Sequence, residues 1–409
     1  MYDIVFSGKF YYNGSFQELD IGVSDGIIIE IKKHISYRHK KLKNAIIPSG
    51  TDTHVHFRDP GETEREDFNT GTVSAAFGAT TTVFDMPNNR IKIDNYAAYK
   101  DKLEIVRRKA YCDFGLYSMF NGNNSNVISK ESSGIKIFMG NTTNVDSNID
   151  TNSDEVANIN NMNIPVVFHA EDKYCLDKNF INARNMKEYS RSRPVLCEDI
   201  AIKKAENMNF KNGVIAHITH VLNTKYIKEA TPHHLLLNDE MSLKSYGKVN
   251  PPLRGPETQK YLLDYFINGN IDIVSSDHAP HIQNEKEDFQ YASAGIIGVE
   301  TRIPLMLALV EKKIITFENF YRTCIYNTAR LFNLKKGVIK KGNFADFMTV
   351  DFTKMKRLND NRLHSKNPIS PFNNFDVIFP DDVIIRGNNI IEGGELINDH
   401  MGKYVNNLK

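Results

Sequence analysis

Short apolar segments alternate with longer segments of mixed polarity through the middle of the chain. The longer segments 95–110 and 198–209 have the length and the apolar spacing of helices that pack on one side. The short segments are rich in Val, Ile, Phe and Thr, which predicts strands at residues 80–84, 134–138, 165–168, 214–216 and 271–274. Such alternation is typical of a parallel sheet with crossover helices, so the pattern predicts an α/β fold.

Most of these predicted strands end in a polar or charged residue. Asp85, His169 and His217 come directly after apolar runs, and Asp277 follows the last run after two serines. In a (β/α)₈ barrel the carboxyl ends of the strands converge on one face, where the functional groups lie. A chain of 409 residues accommodates such a barrel, which takes about 250 residues, and a smaller module besides. We therefore expect a (β/α)₈ barrel with its site at that face.

Both ends of the chain read as short strands separated by turns. Residues 4–6, 22–23 and 27–31 are strand-like at the N-terminal end, and residues 345–350 and 383–386 are strand-like at the C-terminal end. Two unrelated tails are one interpretation. We favour a single β-sandwich module built from both ends, because neither end alone supplies enough strands for a stable sheet. The predicted division is residues 1–46 and 336–409 for the β module and residues 47–335 for the barrel.

Charge and composition exclude several classes of partner. Lys plus Arg number 51 and Asp plus Glu number 50, a net charge of +1, which gives no electrostatic case for nucleic acid or an anionic membrane. No apolar run approaches the roughly 20 residues of a membrane helix, and the acidic start of the sequence is unlike a signal peptide. The four cysteines form no CxxC pair, so we expect four reduced thiols in a cytoplasmic protein.

Histidines and one aspartate form a candidate metal site. His54 and His56 are two residues apart, so on a strand they project from the same face. Alone such a pair is weak evidence, although imidazole is a preferred zinc ligand. Its weight grows because His169, the His217/His220 region and Asp277 also lie at predicted strand ends, where all of them can reach one centre.

Lys136 stands inside the apolar segment 134–138, where an unpaired ammonium group is costly. One interpretation is a lysine whose ammonium group reaches solvent or an ion pair. The other is an amine that has reacted with carbon dioxide to give an anionic carbamate, whose two oxygen atoms can bridge two metal ions. The residue pattern by itself leaves both open.

The sequence resembles the amidohydrolase superfamily and, within it, the dihydroorotases. The matching motifs run in the family's order along the chain; they are residues 54–61, 85–88, 134–138, 169–171, 220–221, 231–235, 250–254 and 276–281. The resemblance implies an enzyme with two divalent metal ions, most simply Zn²⁺. It implies that His54, His56 and Asp277 bind one ion, that His169 and His220 bind the other, and that Lys136, carboxylated, bridges them. His217 is then a packing or supporting residue.

The resemblance also implies the chemistry. Dihydroorotases interconvert N-carbamoyl-L-aspartate and L-dihydroorotate in pyrimidine biosynthesis, with a metal-bridging hydroxide and with Asp277 as general acid and base. Arg58 is expected to bind a carboxylate that both small molecules carry and that allantoin and hydantoin rings lack. The alternatives are an allantoinase or a dihydropyrimidinase/hydantoinase, and, less favoured, a non-catalytic scaffold. Further residues expected to contact substrate are Asn88, Thr142, Asn250 and His281.

Three features qualify these expectations. In animal dihydroorotases a loop closes over the substrate, and Thr142 matches a residue of that loop, but Thr143 replaces an aromatic residue. Asn250 stands where the animal enzymes have an arginine. His281 resembles a position that contacts substrate or a further metal ion. A homo-oligomer, a dimer in the simplest case, is expected.

Overall fold

The computed structural model describes residues 1–145 and 149–408, which fold into a barrel and a β module. The strands, in chain order, are β1 (Ile4–Tyr12), β2 (Ser15–Ser24), β3 (Ile27–Lys32), β4 (His39–Pro48), β5 (Gly50–Val55), β6 (Thr80–Asp85), β7 (Asp113–Met119), β8 (Gly134–Phe138), β9 (Val166–His169), β10 (Gly213–Ile215), β11 (Ile227–Ala230), β12 (Ile273–Val274), β13 (Phe347–Val350), β14 (Lys356–Arg357), β15 (Asp376–Val377), β16 (Asp382–Ile385), β17 (Asn388–Glu392) and β18 (Glu395–Leu396).

The α-helices, in chain order, are α1 (Phe68–Phe77), α2 (Tyr96–Lys109), α3 (Ser153–Asn161), α4 (Lys173–Lys178), α5 (Met186–Ser192), α6 (Val195–Asn207), α7 (Pro232–Leu236), α8 (Pro256–Ile267), α9 (Arg302–Glu311), α10 (Phe317–Tyr321) and α11 (Asn327–Leu331). The predicted helix at 95–110 is α2, which begins where the Asn95 side chain accepts a hydrogen bond from the Ala98 N–H. The predicted helix at 198–209 is α6, which begins three residues earlier.

The barrel consists of β5 to β12, each hydrogen-bonded in parallel to the next in chain order. The first and last strands meet where Val55 forms a parallel bridge with His278 and the His56 N–H donates to the His278 carbonyl at 2.8 Å. All residues of β5 to β10 are buried, as expected for parallel strands covered on both faces. The barrel prediction is confirmed, although the sequence pattern did not reveal β7 and β11.

The β module joins the two ends of the chain in one sheet. Its strand order is β18-β17-β16-β13-β4-β1-β2-β3, so the C-terminal strands continue the sheet that the N-terminal strands begin. The junction is an antiparallel pairing in which Phe347 lies opposite Pro48 and Val350 opposite Ala45. The prediction of one β module from both ends is confirmed, whereas the exact division at residues 46 and 335 stays a prediction.

The prediction of four reduced thiols is wrong for two of them. Cys175 in α4 and Cys197 in α6 form a disulfide, with their Cα atoms 5.3 Å apart, while Cys112 and Cys324 are buried free thiols. The two half-cystines are 22 residues apart in sequence, so only the packing of α4 against α6 brings them together. Within residues 1–145 and 149–408, no helix combines the length and apolar character needed to cross a bilayer.

Candidate metal centre and substrate pocket

The carboxyl ends of the barrel strands surround one narrow pocket. It gathers most of the residues expected from the sequence, which are His54, His56, Arg58, Asn88, Lys136, Thr142, His169, Asn250 and Asp277. Because β5, β8, β9 and β12 end at the same edge of the barrel, residues more than 200 positions apart in sequence become neighbours here. His220 and His281 are not part of the pocket lining.

His54, His56 and Asp277 form one group of candidate metal ligands. Oδ1 of Asp277 lies 3.1 Å from Nε2 of His56 and 3.4 Å from Nε2 of His54. Behind them, Nδ1 of His54 donates to Glu229 at 2.8 Å and Nδ1 of His56 donates to the Asn88 side chain at 2.7 Å. These hydrogen bonds leave both Nε2 lone pairs facing Asp277, which is how metal-binding histidines are commonly held.

Electrostatics favours ligand-ready protonation states in this group. Burial lowers the pKa of His56 to about 3, so its imidazole is neutral at pH 7. Burial alone would raise the pKa of Asp277, but the adjacent imidazoles of His54 and His56 hold that pKa well below its ordinary value. A neutral imidazole and an ionised carboxylate are the forms that bind a divalent cation.

His169 and His217 form a second group. Nδ1 of His169 lies 3.0 Å from Nε2 of His217, and the ring centroids of His217 and His54 are 5.4 Å apart, so the two groups adjoin. The other nitrogen of His169 donates to Glu171 at 3.0 Å, and Arg193 holds that carboxylate in turn. This chain of contacts fixes the His169 ring with Nδ1 toward the pocket.

His217, not His220, completes this group, contrary to the expectation from the sequence. His220 lies outside the pocket, where its Nε2 atom is 2.9 Å from Asp199 of α6 and its Nδ1 atom is 3.8 Å from Glu198. His217 follows β10 directly and has a left-handed φ of 40°, and its ring lines the pocket, whereas His220 does not. The ligand role is therefore better supported for His217.

Lys136 lies at the centre of the pocket wall with its side chain fully buried. Across residues 1–145 and 149–408, no hydrogen-bond partner of its Nζ atom is found. Burial lowers the pKa of Lys136 to about 8, although Glu229 and Asp277 oppose that shift. Nζ of Lys136 lies 5.4 Å from the centroid of the Phe138 ring. The depressed pKa raises the neutral fraction of this amine above that of an ordinary lysine, and the neutral amine is the form that can attack carbon dioxide.

Arg58 supplies positive charge at the pocket. Burial lowers its pKa to about 10, which leaves the guanidinium charged at pH 7. Its Nη2 atom is 3.4 Å from Nε2 of His281, and no partner for its Nε atom is found in the described part of the chain. His281 itself touches Glu285 at 2.9 Å and the Ala294 carbonyl at 3.0 Å, so it stands behind Arg58. Arg58 thus retains donors for an incoming carboxylate.

The other residues expected to contact substrate are held by hydrogen bonds to one another. Asn88 accepts from His56 and donates to the Thr143 carbonyl at 3.1 Å. Asn250 donates to Oγ1 of Thr142 at 3.3 Å and accepts from the Tyr189 hydroxyl at 2.5 Å. The loop that carries Thr142 is therefore joined to the pocket from two sides, and its residues 146–148 lie outside the described part of the chain.

Several supporting residues were not anticipated from the sequence. Glu171 stands inside a family motif, so the spacing His169-Ala170-Glu171 was the available signal for its role. Glu229 lies on β11, a strand that the hydrophobic pattern did not reveal, and Arg193 and Tyr189 lie on or beside α5. Their roles depend on contacts between distant segments, which residue patterns do not encode.

Comparison with known proteins identifies the family of this chain. The sequence profile of the Amidohydrolase family matches residues 45–390. A dihydroorotase from Thermoplasma acidophilum is 49% identical over 405 residues, which cover 98% of each chain. The chain belongs to the dihydroorotases of the amidohydrolase family. A dihydroorotase from Methanosarcina acetivorans is 33% identical over 418 residues, covering 93% of this chain and 90% of that one. The family predicted from the motifs is thus confirmed, and membership makes the chain a hydrolase.

Solved structures confirm the architecture. The L-hydantoinase (dihydropyrimidinase) from Arthrobacter aurescens superposes with a TM-score of 0.91 at 24% identity, covering 99% of each chain. The dihydropyrimidinase from Brevibacillus agri superposes with a TM-score of 0.88 at 22% identity, covering 98% of each chain. At these identities the likeness shows the fold alone.

Proposed function

We propose that this enzyme interconverts N-carbamoyl-L-aspartate and L-dihydroorotate, with release of water on ring closure, in pyrimidine biosynthesis. The observation that carries the proposal is the buried Arg58, which keeps unused donors beside a cluster of metal-binding side chains. Both proposed substrates have a carboxylate that ring closure leaves untouched. A guanidinium can hold that group with two parallel hydrogen bonds and so fix the orientation of the molecule.

We infer that two divalent ions, zinc in the first instance, bind in the pocket. His54, His56 and Asp277 would hold one ion and His169 and His217 the other, with a carboxylated Lys136 between them. The fit is supported by the 3.1 and 3.4 Å spacings around Asp277 and by the Nζ atom of Lys136, which has no hydrogen-bond partner among the described residues. When bound, such ions polarise a carbonyl group and lower the pKa of a coordinated water molecule to about 7.

The side chains of the pocket would transfer the proton, orient the histidine rings and contact the substrate. Asp277 is largely buried and ionised, so its carboxylate can accept a proton from water in ring opening and give it to the ring nitrogen. In ring closure the same proton moves in the opposite direction. Glu229 and Asn88 keep the His54 and His56 rings oriented, while Glu171 does so for His169. Asn250 and Thr142 would contact the ring or the carbamoyl group.

Turnover of alternative rings tests the proposal. Purified protein would be supplied with zinc, and rates would be measured with dihydroorotate, allantoin, hydantoin and dihydrouracil. We expect dihydroorotate to be preferred by at least 100-fold in kcat/KM, because only that ring has the carboxylate for Arg58. Preference for a ring without this carboxylate would overturn the assignment and favour a hydantoinase or an allantoinase.

Two expectations from the sequence stay predictions. The homodimer is tested by sedimentation equilibrium of the purified protein, and the cytoplasmic location is tested by fractionation of cells that express the chain. Neither bears on the ring chemistry.

A further inference from the structure

A second group of metal-binding side chains lies in the β module, outside the barrel pocket. It consists of Asp20 on β2, His34 in the loop after β3, and His39 at the start of β4. One ligand atom from each residue lies within 4.8 Å of those of the other two. The group brings together three segments of the N-terminal part of the sheet.

The distances in this group suit ligands of one ion better than hydrogen bonds. Oδ2 of Asp20 is 3.5 Å from Nδ1 of His34 and 3.5 Å from Nε2 of His39. A good hydrogen bond between such atoms is about 2.7–3.2 Å long. Two ligands at about 2.0–2.1 Å from a tetrahedral zinc ion are instead about 3.3 Å apart. The spacing between His54 and Asp277 in the barrel, 3.4 Å, is nearly the same.

The Asp20 carboxylate is largely buried and held in a fixed orientation. Its side chain is only 8% exposed, and within the part of the chain that the structure describes no lysine or arginine forms an ion pair with it. Oδ1 accepts from the Ser7 hydroxyl at 2.7 Å and Oδ2 accepts from the Ile35 N–H at 2.7 Å, which fixes the carboxylate plane. A largely buried carboxylate is costly unless a positive charge lies beside it.

The two histidines complete the group in complementary ways. His34 is 78% exposed, so an ion reaches the group from solvent without any opening of the fold. Nε2 of His39 donates to the Ile35 carbonyl at 2.6 Å. When an ion binds at Nε2, this hydrogen bond breaks and the Nε2 proton moves to Nδ1 through solvent.

We propose that Asp20, His34 and His39 form a non-catalytic site for a divalent transition-metal ion, and that this ion is zinc. The ion ties the loop between β3 and β4 to β2 and stabilises the β module. The site is independent of the reaction in the barrel, because none of its residues lines that pocket.

Metal counting on the full chain tests the proposal. The double variant His34→Gln/His39→Gln would be compared with wild type and with His400→Gln, which removes an exposed imidazole elsewhere. After equilibration at equal free zinc, we expect wild type and His400→Gln to hold one zinc more per chain than the double variant, with dihydroorotate turnover unchanged in all three. Equal zinc content in the three proteins would overturn the proposal, whatever the enzyme's substrate.

A second test uses only the wild-type protein, so its result does not depend on whether the double variant folds. Diethyl pyrocarbonate modifies accessible imidazoles, and peptide mapping reports the rate at each histidine. We expect added zinc to slow modification of His34 at least fivefold while His400 is unaffected. An unchanged rate at His34 would show that zinc does not bind there.

Discussion

The Nδ1 atom of His169 lies 3.0 Å from the Nε2 atom of His217. The Nδ1 atom of His169 has no carboxylate partner among the described residues, because the acid that contacts His169, Glu171, lies at the other ring nitrogen. Two imidazole nitrogens directed at one another in a buried pocket are well placed to share a cation. This relationship places His217 in the proposed metal centre and separates it from His220.

Replacement of His217 therefore has a different effect from replacement of His220. We expect His217→Ala to lose about one metal ion per chain and to lower kcat by more than the roughly 10–100-fold typical of residues that only support a ligand. We expect His220→Ala to keep its metal content, with a kcat lowered by less than about 10-fold. Metal analysis and steady-state rates on both variants check this, and the reverse ranking would restore His220 as the ligand.

Removal of the Lys136 amine tests the carbamate bridge. We expect Lys136→Ala to lose most activity and part of its bound metal, because the variant cannot form the proposed anionic bridge between the two ions. Short carboxylic acids such as acetate or propionate, added with zinc, occupy the vacated space and restore part of the rate. The control is His217→Ala, which the same acids leave inactive. A high-resolution density map with an unmodified amine at Lys136 in the active enzyme would contradict the bridge.

The role proposed for Arg58 is recognition of a ring with a carboxylate. A hydrogen bond to a charged group is worth about 1.5–3 kcal/mol, so Arg58→Ala raises the KM for dihydroorotate by about 10–100-fold. Any slow turnover of dihydrouracil, which lacks the carboxylate, stays within about 2-fold of the wild-type rate in Arg58→Ala. Arg90→Ala, at an exposed position, is the matched control. Equal losses on both rings would show that Arg58 supports the pocket without recognising the carboxylate.

Tyr189 orients the Asn250 amide. Its hydroxyl donates to Oδ1, so the Nδ2 atom of Asn250 faces Thr142 and the pocket. We expect Tyr189→Phe to raise the KM about 2–10-fold, as loss of a hydrogen bond worth about 0.5–1.5 kcal/mol predicts. In a double-mutant cycle, Tyr189→Phe causes little further increase of KM in a protein that already carries Asn250→Ala. Full additivity of the two losses would mean that Tyr189 acts independently of Asn250.

The buried pair of Glu198 and Arg254 makes stability depend on pH. Burial would raise the pKa of Glu198, but Arg254 and His220 lower it to about 2, below the ordinary value of 4.5 in the unfolded chain. The stabilisation is therefore complete above about pH 4.5 and is lost as the pH falls toward 2. We expect Glu198→Gln to lower the free energy of unfolding by about 3–5 kcal/mol at pH 7, because it leaves Arg254 unpaired.

Urea unfolding of wild type and Glu198→Gln from pH 7 down to pH 3 measures this difference. The gap between the two proteins should be constant above about pH 5 and should narrow below pH 4.5. Glu395→Gln, at an exposed position, gives the baseline. A gap that widens toward low pH would reverse the sign and exclude the pair as its cause.

The hydrophobic pattern and the family motifs determined most of the fold and most of the pocket. The strand ends at Asp85 and His169, and the position of Asp277 three residues after β12, were visible as apolar runs followed by polar residues. Parallel strands bring such ends to one face. Arg58 and Lys136 were also recognisable, because each stands in a motif whose neighbours are apolar or catalytic residues. These features are local, so the sequence carries them directly.

The tertiary structure alone decided between His217 and His220, revealed the support of His54 by Glu229, and joined Cys175 to Cys197. A spacing of three residues after a strand permits either histidine to face the pocket. In the folded chain His217 lines the pocket, while His220 contacts Asp199 and Glu198 of α6. Contacts of this kind join segments far apart in sequence, and their geometry exists only once the barrel has closed.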